Sequence, residues 1–331
     1  MSRVRADVSR WGAIAAAFLL IACEAPDPGA DGASYPSRPI EIVSWASPGG
    51  PTDVLSRSLA RVGSPYFGDQ RINVVNRQGG AGAATMQYLS GRAGDPHVLA
   101  VFTASGAVNM ATGRIPFGPG DVTPLLRVQM DPFLIAVVDE SPFRSLDEFF
   151  AEARSRPGEL SIAGFGAASA HFLGFSRLTA LAGDPDIRWI AYPGSSDAAV
   201  AALGGHTDAV HSNYNTIREH IRAGSMRVLG VALPLDALPE TRTYAEQGYD
   251  VAPVHWRGVV GPPGLSAEHV SDIRGRLEAL IGDPAFDEYM SEAAMEYAVM
   301  EGAPVFADWL ASEVAESRSE LERLGLLDSS R

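Results

Sequence analysis

Short apolar runs that break into small-residue loops and restart as helices recur along the chain, and this unit constrains the fold more than anything else. Ile40 to Trp45 leads into Ser47-Pro48-Gly49-Gly50-Pro51-Thr52-Asp53, after which Val54, Leu55, Leu59 and Val62 share one helical face. Val98 to Phe102 is continuously apolar, as a parallel strand covered on both faces would be, and runs into Thr103-Ala104-Ser105-Gly106. Leu160 to Ala163 opens onto Gly164 to His171, followed by a helix through Leu173 and Leu178. Trp189 to Tyr192 leads to Pro193-Gly194-Ser195-Ser196-Asp197 and a short helix over Ala198 to Leu203. Strand alternating with helix predicts an α/β fold with mainly parallel sheets.

A strand that ends in Gly, Pro or Ser and restarts as a helix presents free backbone N–H groups with the positive end of the helix dipole behind them, which suits an anion. Any one such loop is equally well a tight turn with an N-cap; the repetition makes several of them candidate parts of one site. Asp53 reads as a cap or water-holder, because a carboxylate beside a carboxylate ligand is repulsive. The formal net charge of −14 leaves no basic footprint for nucleic acid, so an anion site must supply its own local potential.

Elsewhere, Arg71 to Val75 reads as a strand before the glycine-rich Gly79-Gly80-Ala81-Gly82. That stretch is a turn and not a dinucleotide fingerprint, since Thr85 stands at the third position and no acidic residue closes a later strand. Phe133 to Val138 is a strand, and Ser145 with Glu148 has capping-box spacing. Thr207 to Tyr214 and Met226 to Val231 are strands around a helix from Ile217 to Ala223; residues 234–253 are irregular; Trp256 to Gly261 is a strand. Ser266 caps a helix bearing Val270, Ile273, Leu277, Leu280 and Ile281, and the last helix, about Val305 to Leu324, ends at Gly325.

Arg3, Arg5 and Arg10 precede an apolar stretch, Trp11 to Ile21, of signal-peptide length. Leu20-Ile21-Ala22-Cys23 then resembles a bacterial lipobox, and Cys23 is the only cysteine. Residues 1–22 are therefore expected to be a signal peptide and Cys23 a lipid attachment point. Residues 23–34 form a flexible tether, and the chain is extracytoplasmic, periplasmic or at the cell surface. The seven histidines lack metal-ligand spacing, and no nucleophile elbow or phosphate-binding loop is present. No metal and no cofactor is expected.

Pro48-Gly49-Gly50-Pro51-Thr52-Asp53, Asn76-Arg77-Gln78-Gly79-Gly80-Ala81-Gly82, the Gly/Ser loop ending in His171, Tyr192-Pro193-Gly194, Leu203-Gly204-Gly205-His206-Thr207-Asp208, Ala223-Gly224-Ser225-Met226-Arg227-Val228-Leu229 and Trp256-Arg257-Gly258 with Gly261-Pro262-Pro263-Gly264 occur in this order. Together they resemble the Bug receptors, the extracytoplasmic solute-binding proteins of tripartite tricarboxylate transporters, over roughly Tyr35 to Leu326. The resemblance implies a two-lobed, type II Venus-flytrap periplasmic-binding-protein fold. It also implies a small carboxylate held in the cleft by backbone N–H groups and water, and handover to the transporter's membrane subunits. Carried over by position, it implies ligand-binding roles for Ser47, Gly49, Gly50, Thr52, Asp53, Thr103 and Ser105 from one lobe. From the other it implies Gly166, Ala168, Ser169, His171, Tyr192, Ser195 and Asn213.

Ala167-Ala168 and Gln78 depart from the family pattern. Trp45, where a smaller residue or a phenylalanine is usual, is either core or a pocket wall that favours an apolar portion of the ligand. The lobes are expected at 35–131 with 255–331, and at 132–254, in a monomer that closes about its hinge on a di- or tricarboxylate, an aromatic acid or an amino acid. The membrane is met through the lipid anchor alone. Two other readings remain: a secreted hydrolase using Ser169 and His171, and a ligand sensor that acts through a partner without transport.

Overall fold

The structure, a computed structural model, describes residues 35–46, 48–49, 51–292 and 303–327. Ser47, Gly50, Cys23 and the expected leader and tether lie outside the described residues. The chain divides into Met1–Ser37 and a compact unit, Arg38–Arg331, which carries every element below.

Its first part alternates as the sequence predicts: β1 (Ile40–Ser44), α1 (Pro51–Gly63), β2 (Ile72–Asn76), α2 (Ala83–Ser90), β3 (Val98–Thr103) and α3 (Ala104–Ala111). A long strand, β4 (Thr123–Val138), follows, then α4 (Leu146–Ser155), β5 (Ser161–Phe165), α5 (Ala170–Leu181), β6 (Arg188–Tyr192), α6 (Ser195–Leu203), β7 (Ala209–Asn213), α7 (Tyr214–Arg222) and β8 (Met226–Val231). The chain returns through β9 (Val254–Gly261) and closes with α8 (Ala267–Ile281), α9 (Pro284–Glu292) and α10 (Ala303–Arg323).

The strand order is β2-β1-β3-β9-β4-β7-β5-β6, with β8 also on β4. β2, β1 and β3 are parallel, as are β7, β5 and β6, whereas β9, β4 and β8 pair antiparallel between the two groups. β4 changes partners midway. It pairs β9 from Thr123↔Gly261 to Pro132↔Val254, then β7 from Phe133↔Asn213 and β8 from Leu134↔Val231.

The first half of β4 and the helix α9 are absent from the sequence expectation. Pro124, Gln129, Asp131 and Pro132 interrupt the apolar alternation, and two register shifts against β9 absorb the irregularity. The capping box before α4 is also displaced. Ser145 Oγ accepts from Glu148 N at 3.2 Å, but the Glu148 carboxylate takes Arg144 N at 2.6 Å, one residue earlier than expected.

Beyond the switch point, period-two alternation on β4 serves two cores. Ile135 and Val137 pack with Phe149, Phe150, Phe175 and Leu178; Leu134 and Ala136 pack with Ala198, Ala202 and Ile217 on the opposite face. Each fully buried phenylalanine contributes about 1.5–3 kcal/mol of burial. Gly164 permits close packing in β5, since a Cβ there would lie 2.0 Å from the Trp189 ring. Before the switch point, Phe102, Trp256, Phe306 and Leu310 join β3, β9 and α10 in a third core. No helix among the described residues is long and apolar enough to cross a membrane.

Candidate functional site

The carboxyl ends of β3 and β7 run directly into α3 and α7, and those of β1, β5 and β6 lead through short loops into α1, α5 and α6. At the first of these, Asp53 is fully buried and organises the loop. Its Oδ2 accepts from Gly49 N and Arg57 Nε, both at 2.8 Å, and its Oδ1 from Asn76 Nδ2 at 2.8 Å. Burial alone would raise the Asp53 pKa, but these hydrogen bonds hold it below the ordinary value. The carboxylate is thus committed to shaping the turn, with Gly49 at φ +82° and Asn76 also bound to Ala46 O. Thr52 is buried beside it.

Two of the expected hydroxyl ligands are helix caps. Thr103 Oγ1 accepts from Gly106 N at 3.4 Å, and Ser169 Oγ accepts from Phe172 N at 3.2 Å while donating to Phe165 O at 2.5 Å. Both cap the helix termini whose dipoles would act on an anion. Gly166 takes φ +68°, with its N–H bonded to Tyr192 O at 3.0 Å, so the β5 and β6 loops are fixed to each other. Tyr192, Ala168 and Ser195 are half-buried; Gly194, ahead of Ser195, makes no side-chain cap. Asn213 turns inward, its Nδ2 donating to Asp131 O at 2.9 Å and Pro132 O at 3.2 Å. Trp45 is half-buried and lines a narrow apolar crevice with Gly82, Met86 and Phe102.

The starts of α3 and α5 meet through histidines. Ser105 Oγ lies 3.3 Å from His255 Nε2, the His255 and His171 rings are 6.1 Å apart, and His171 Nδ1 is 3.4 Å from His211 Nδ1. Phe133 lies against all three rings, at 4.5, 4.8 and 6.4 Å from His171, His211 and His255. Burial pushes His171 down to about 3, and drives His211 and His255 well below the ordinary value; the charge of Arg257 adds to the effect at His171 and His255. The cluster is therefore neutral at pH 7. His171, in the first turn of α5, is a buried ring within this cluster.

Under the cluster lies a polar floor. Arg257 Nη1 is 2.5 Å from Asp131 Oδ2, and Gln129 Nε2 donates to both Asp131 oxygens at 2.9 and 3.0 Å. His255 Nδ1, His211 Nε2, Arg257 Nε and Gln129 Oε1 are buried with no hydrogen-bond partner among the described residues. The sequence reading used Trp256-Arg257-Gly258 only as a motif and missed His255, Gln129 and Asp131. A signal was present: polar residues at alternate positions of two otherwise apolar strands mark a buried network.

No hydrogen bond joins Ser169 to His171 among the described residues, and no group of His, Cys, Asp or Glu there is arranged to hold a metal. The arrangement offers helix N-termini, backbone N–H groups and neutral donors without a nucleophile paired to a base.

Residues 57–326 match the tripartite tricarboxylate transporter family receptor. The protein BugT of Bordetella pertussis (strain Tohama I) is 30% identical over 311 residues, 91% of each chain. A protein encoded in the tcbD-tcbE intergenic region of Pseudomonas sp. (strain P51) is 30% identical over 290 residues, 85% of this chain and 84% of that one. Among solved structures, a TctC solute-binding protein from Polaromonas superposes with TM-score 0.78 at 23% identity, over 87% of this chain and 99% of that chain. MatC from Rhodopseudomonas palustris with bound malate gives 0.69 at 20% identity, over 87% of this chain and all (100%) of that chain. The R. palustris protein Rpa4515 with adipate gives 0.71 at 24%, covering 88% and 98%. With the strand order above, these likenesses establish the two-lobed periplasmic-binding-protein fold. The chain belongs to the Bug-type receptor family of tripartite tricarboxylate transporters.

Proposed function

We propose that this receptor captures a small dicarboxylate between two lobes and delivers it to the membrane subunits of a tripartite tricarboxylate transporter. The observation that carries the reading is the approach of the α3 and α5 N-termini through Ser105, His255 and His171, above a floor of unpartnered polar atoms. Paired helix dipoles and backbone N–H groups attract a carboxylate without a bound counter-charge. Malate and adipate, bound by two structurally similar proteins, indicate ligands of suitable size and charge.

The lobes are residues 35–131 with 255–331, and 132–254. The switch of β4 from β9 to β7 and β8 after Pro132 supports this division, with the hinge where β4 changes partners and β9 begins. Closure about that hinge is favoured by ligand in proportion to its preference for the closed form. Export by the leader, anchoring through a lipid on Cys23 and action as a monomer complete the proposal. Of the site residues, Gly49, Thr52, Gly166, Ala168, Tyr192 and Ser195 contact the ligand, together with Ser47 and Gly50. Asp53, Thr103, Ser169, His171 and Asn213 hold the loops and helix starts in position.

The test is calorimetric titration of purified protein with malate, adipate, citrate, glutamate and benzoate, repeated on Ser195→Trp. Ser195 is half-buried at the start of α6, so the indole fills the loop mouth without entering a core. A dicarboxylate that binds the wild type and loses at least tenfold in affinity on S195W supports the reading. Binding of a dicarboxylate unchanged by S195W places the site elsewhere, and no binding of malate, adipate, citrate or glutamate rejects this ligand class, whether or not benzoate binds.

A further inference from the structure

A cavity of about 230 Å³ lies beside the crossing strands, walled by α3, α5 and α10 and floored by Met130, Phe133, Val254 and Trp256. Phe133 separates it from the histidine cluster, lining the cavity and also lying against the rings of His171, His211 and His255. Arg127, Arg177 and Glu313 supply its charged groups, and Val108, Leu173 and Trp309 add to its apolar wall. We propose that this cavity is a second ligand site, for a small monocarboxylate with a compact apolar or aromatic body.

Two buried polar atoms on its lining residues, Arg177 Nη2 and Trp256 Nε1, have no hydrogen-bond partner among the described residues, and both are donors. A buried donor without a partner is costly, so the complementary group is an acceptor. Arg177 approaches Glu313 and Glu316 only to 4.0 and 3.9 Å, beyond hydrogen-bond reach, and Glu316 is 68% exposed at the rim. The Arg127 guanidinium lies over the Trp309 ring at 4.5 Å. The two guanidiniums thus have only loose carboxylate neighbours: Glu313, whose pKa desolvation raises, and the solvent-facing Glu316.

The apolar wall selects for the rest of the molecule. Its volume is smaller than the roughly 300–1,000 Å³ of drug-sized pockets, which restricts it to ligands about the size of benzoate. A tricarboxylate would bring more negative charge than the two guanidiniums balance and would set it against Met130 and Leu173. Because Arg127 and Met130 line it before the β4 switch point and Phe133 after it, an occupant touches both sides of that point.

The inference is independent of the cleft reading and has its own readout. Protein carrying 13C-methyl methionine is titrated with benzoate, with the Met130 resonance identified by Met130→Leu. The expected result is a saturable shift of the Met130 methyl in wild type and in Ser195→Trp. The shift weakens at least tenfold in Arg177→Gln and in Ala252→Trp, whose exposed position at the rim lets the indole fill the cavity without a core penalty. Thermal unfolding of both variants checks that they are folded. The proposal is overturned by no Met130 shift in wild type, by a shift abolished in S195W, or by one unchanged in both R177Q and A252W.

Discussion

Arg257 and Asp131 form a buried ion pair, Nη1 to Oδ2 at 2.5 Å, across the antiparallel strands β9 and β4, immediately before β4 leaves β9 for its other partners. Their side chains are only 7% and 6% exposed. Removing one member leaves an uncompensated charge in a poorly solvated place. Arg257→Met should therefore cost about 3–5 kcal/mol, whereas the double variant Arg257→Met with Asp131→Leu should recover much of that loss. Urea midpoints of the wild type and both variants decide it; a single variant as stable as wild type would show that Asp131 needs no partner.

The neutral histidine cluster predicts acid sensitivity. His171, His211 and His255 have folded-state pKa values below the ordinary 6.5, so the unfolded chain binds protons that the folded chain refuses. Stability is full above pH 6.5 and falls as the pH is lowered, by up to roughly 1.4 kcal/mol per histidine per pH unit. For His171 the loss continues down to about pH 3. Denaturant unfolding at pH 7.5, 6.5 and 5.5 should show a progressive decline that His211→Phe reduces. A flat profile would contradict the assignment of neutral, buried rings.

Asp53 tests the separation of loop shape from ligand contact. Its carboxylate accepts from Gly49 N, Arg57 and Asn76, so Asp53→Ala leaves a backbone donor and an amide without their acceptor. The expected cost is about 1–3 kcal/mol, with ligand affinity falling through misplacement of the loop. Asp53→Asn retains an acceptor for Gly49 N and should recover part of both losses. Equal affinity in all three proteins would detach the loop from binding.

Gly164 is the tightest backbone approach on β5. With a Cβ at that position only 2.0 Å from the Trp189 ring, Gly164→Ala must displace the indole, whose Nε1 donates to Gly166 O at 2.9 Å. About 1–3 kcal/mol of stability should be lost, and the β5 loop should shift with it. Pairing the substitution with Trp189→Phe, measured by thermal unfolding, should recover less than the full loss, because the indole hydrogen bond is then gone.

The alternating elements were legible because the local code for them is strong. Ser266 before His269 and Ser169 before Phe172 cap helices as their spacing implies, and Val98 to Phe102 is a buried strand. The first half of β4 was illegible for a matching reason. Pro124, Gln129 and Asp131 have poor strand character alone and become a strand only by pairing with β9, more than a hundred residues later in the chain.

The sequence by itself determined the α/β alternation, the acidic surface and the loops from which helix N-termini project, since each depends on residues close together in the chain. Only the tertiary structure decided what the site residues do. Asp53 gained in Asn76 a partner from another strand, and His171 became a neutral buried ring because Phe133, His211 and His255 surround it. The Arg257–Asp131 pair and the cavity beside Trp309 depend on strands and helices brought together from distant segments, and no spacing along the chain encodes such proximity.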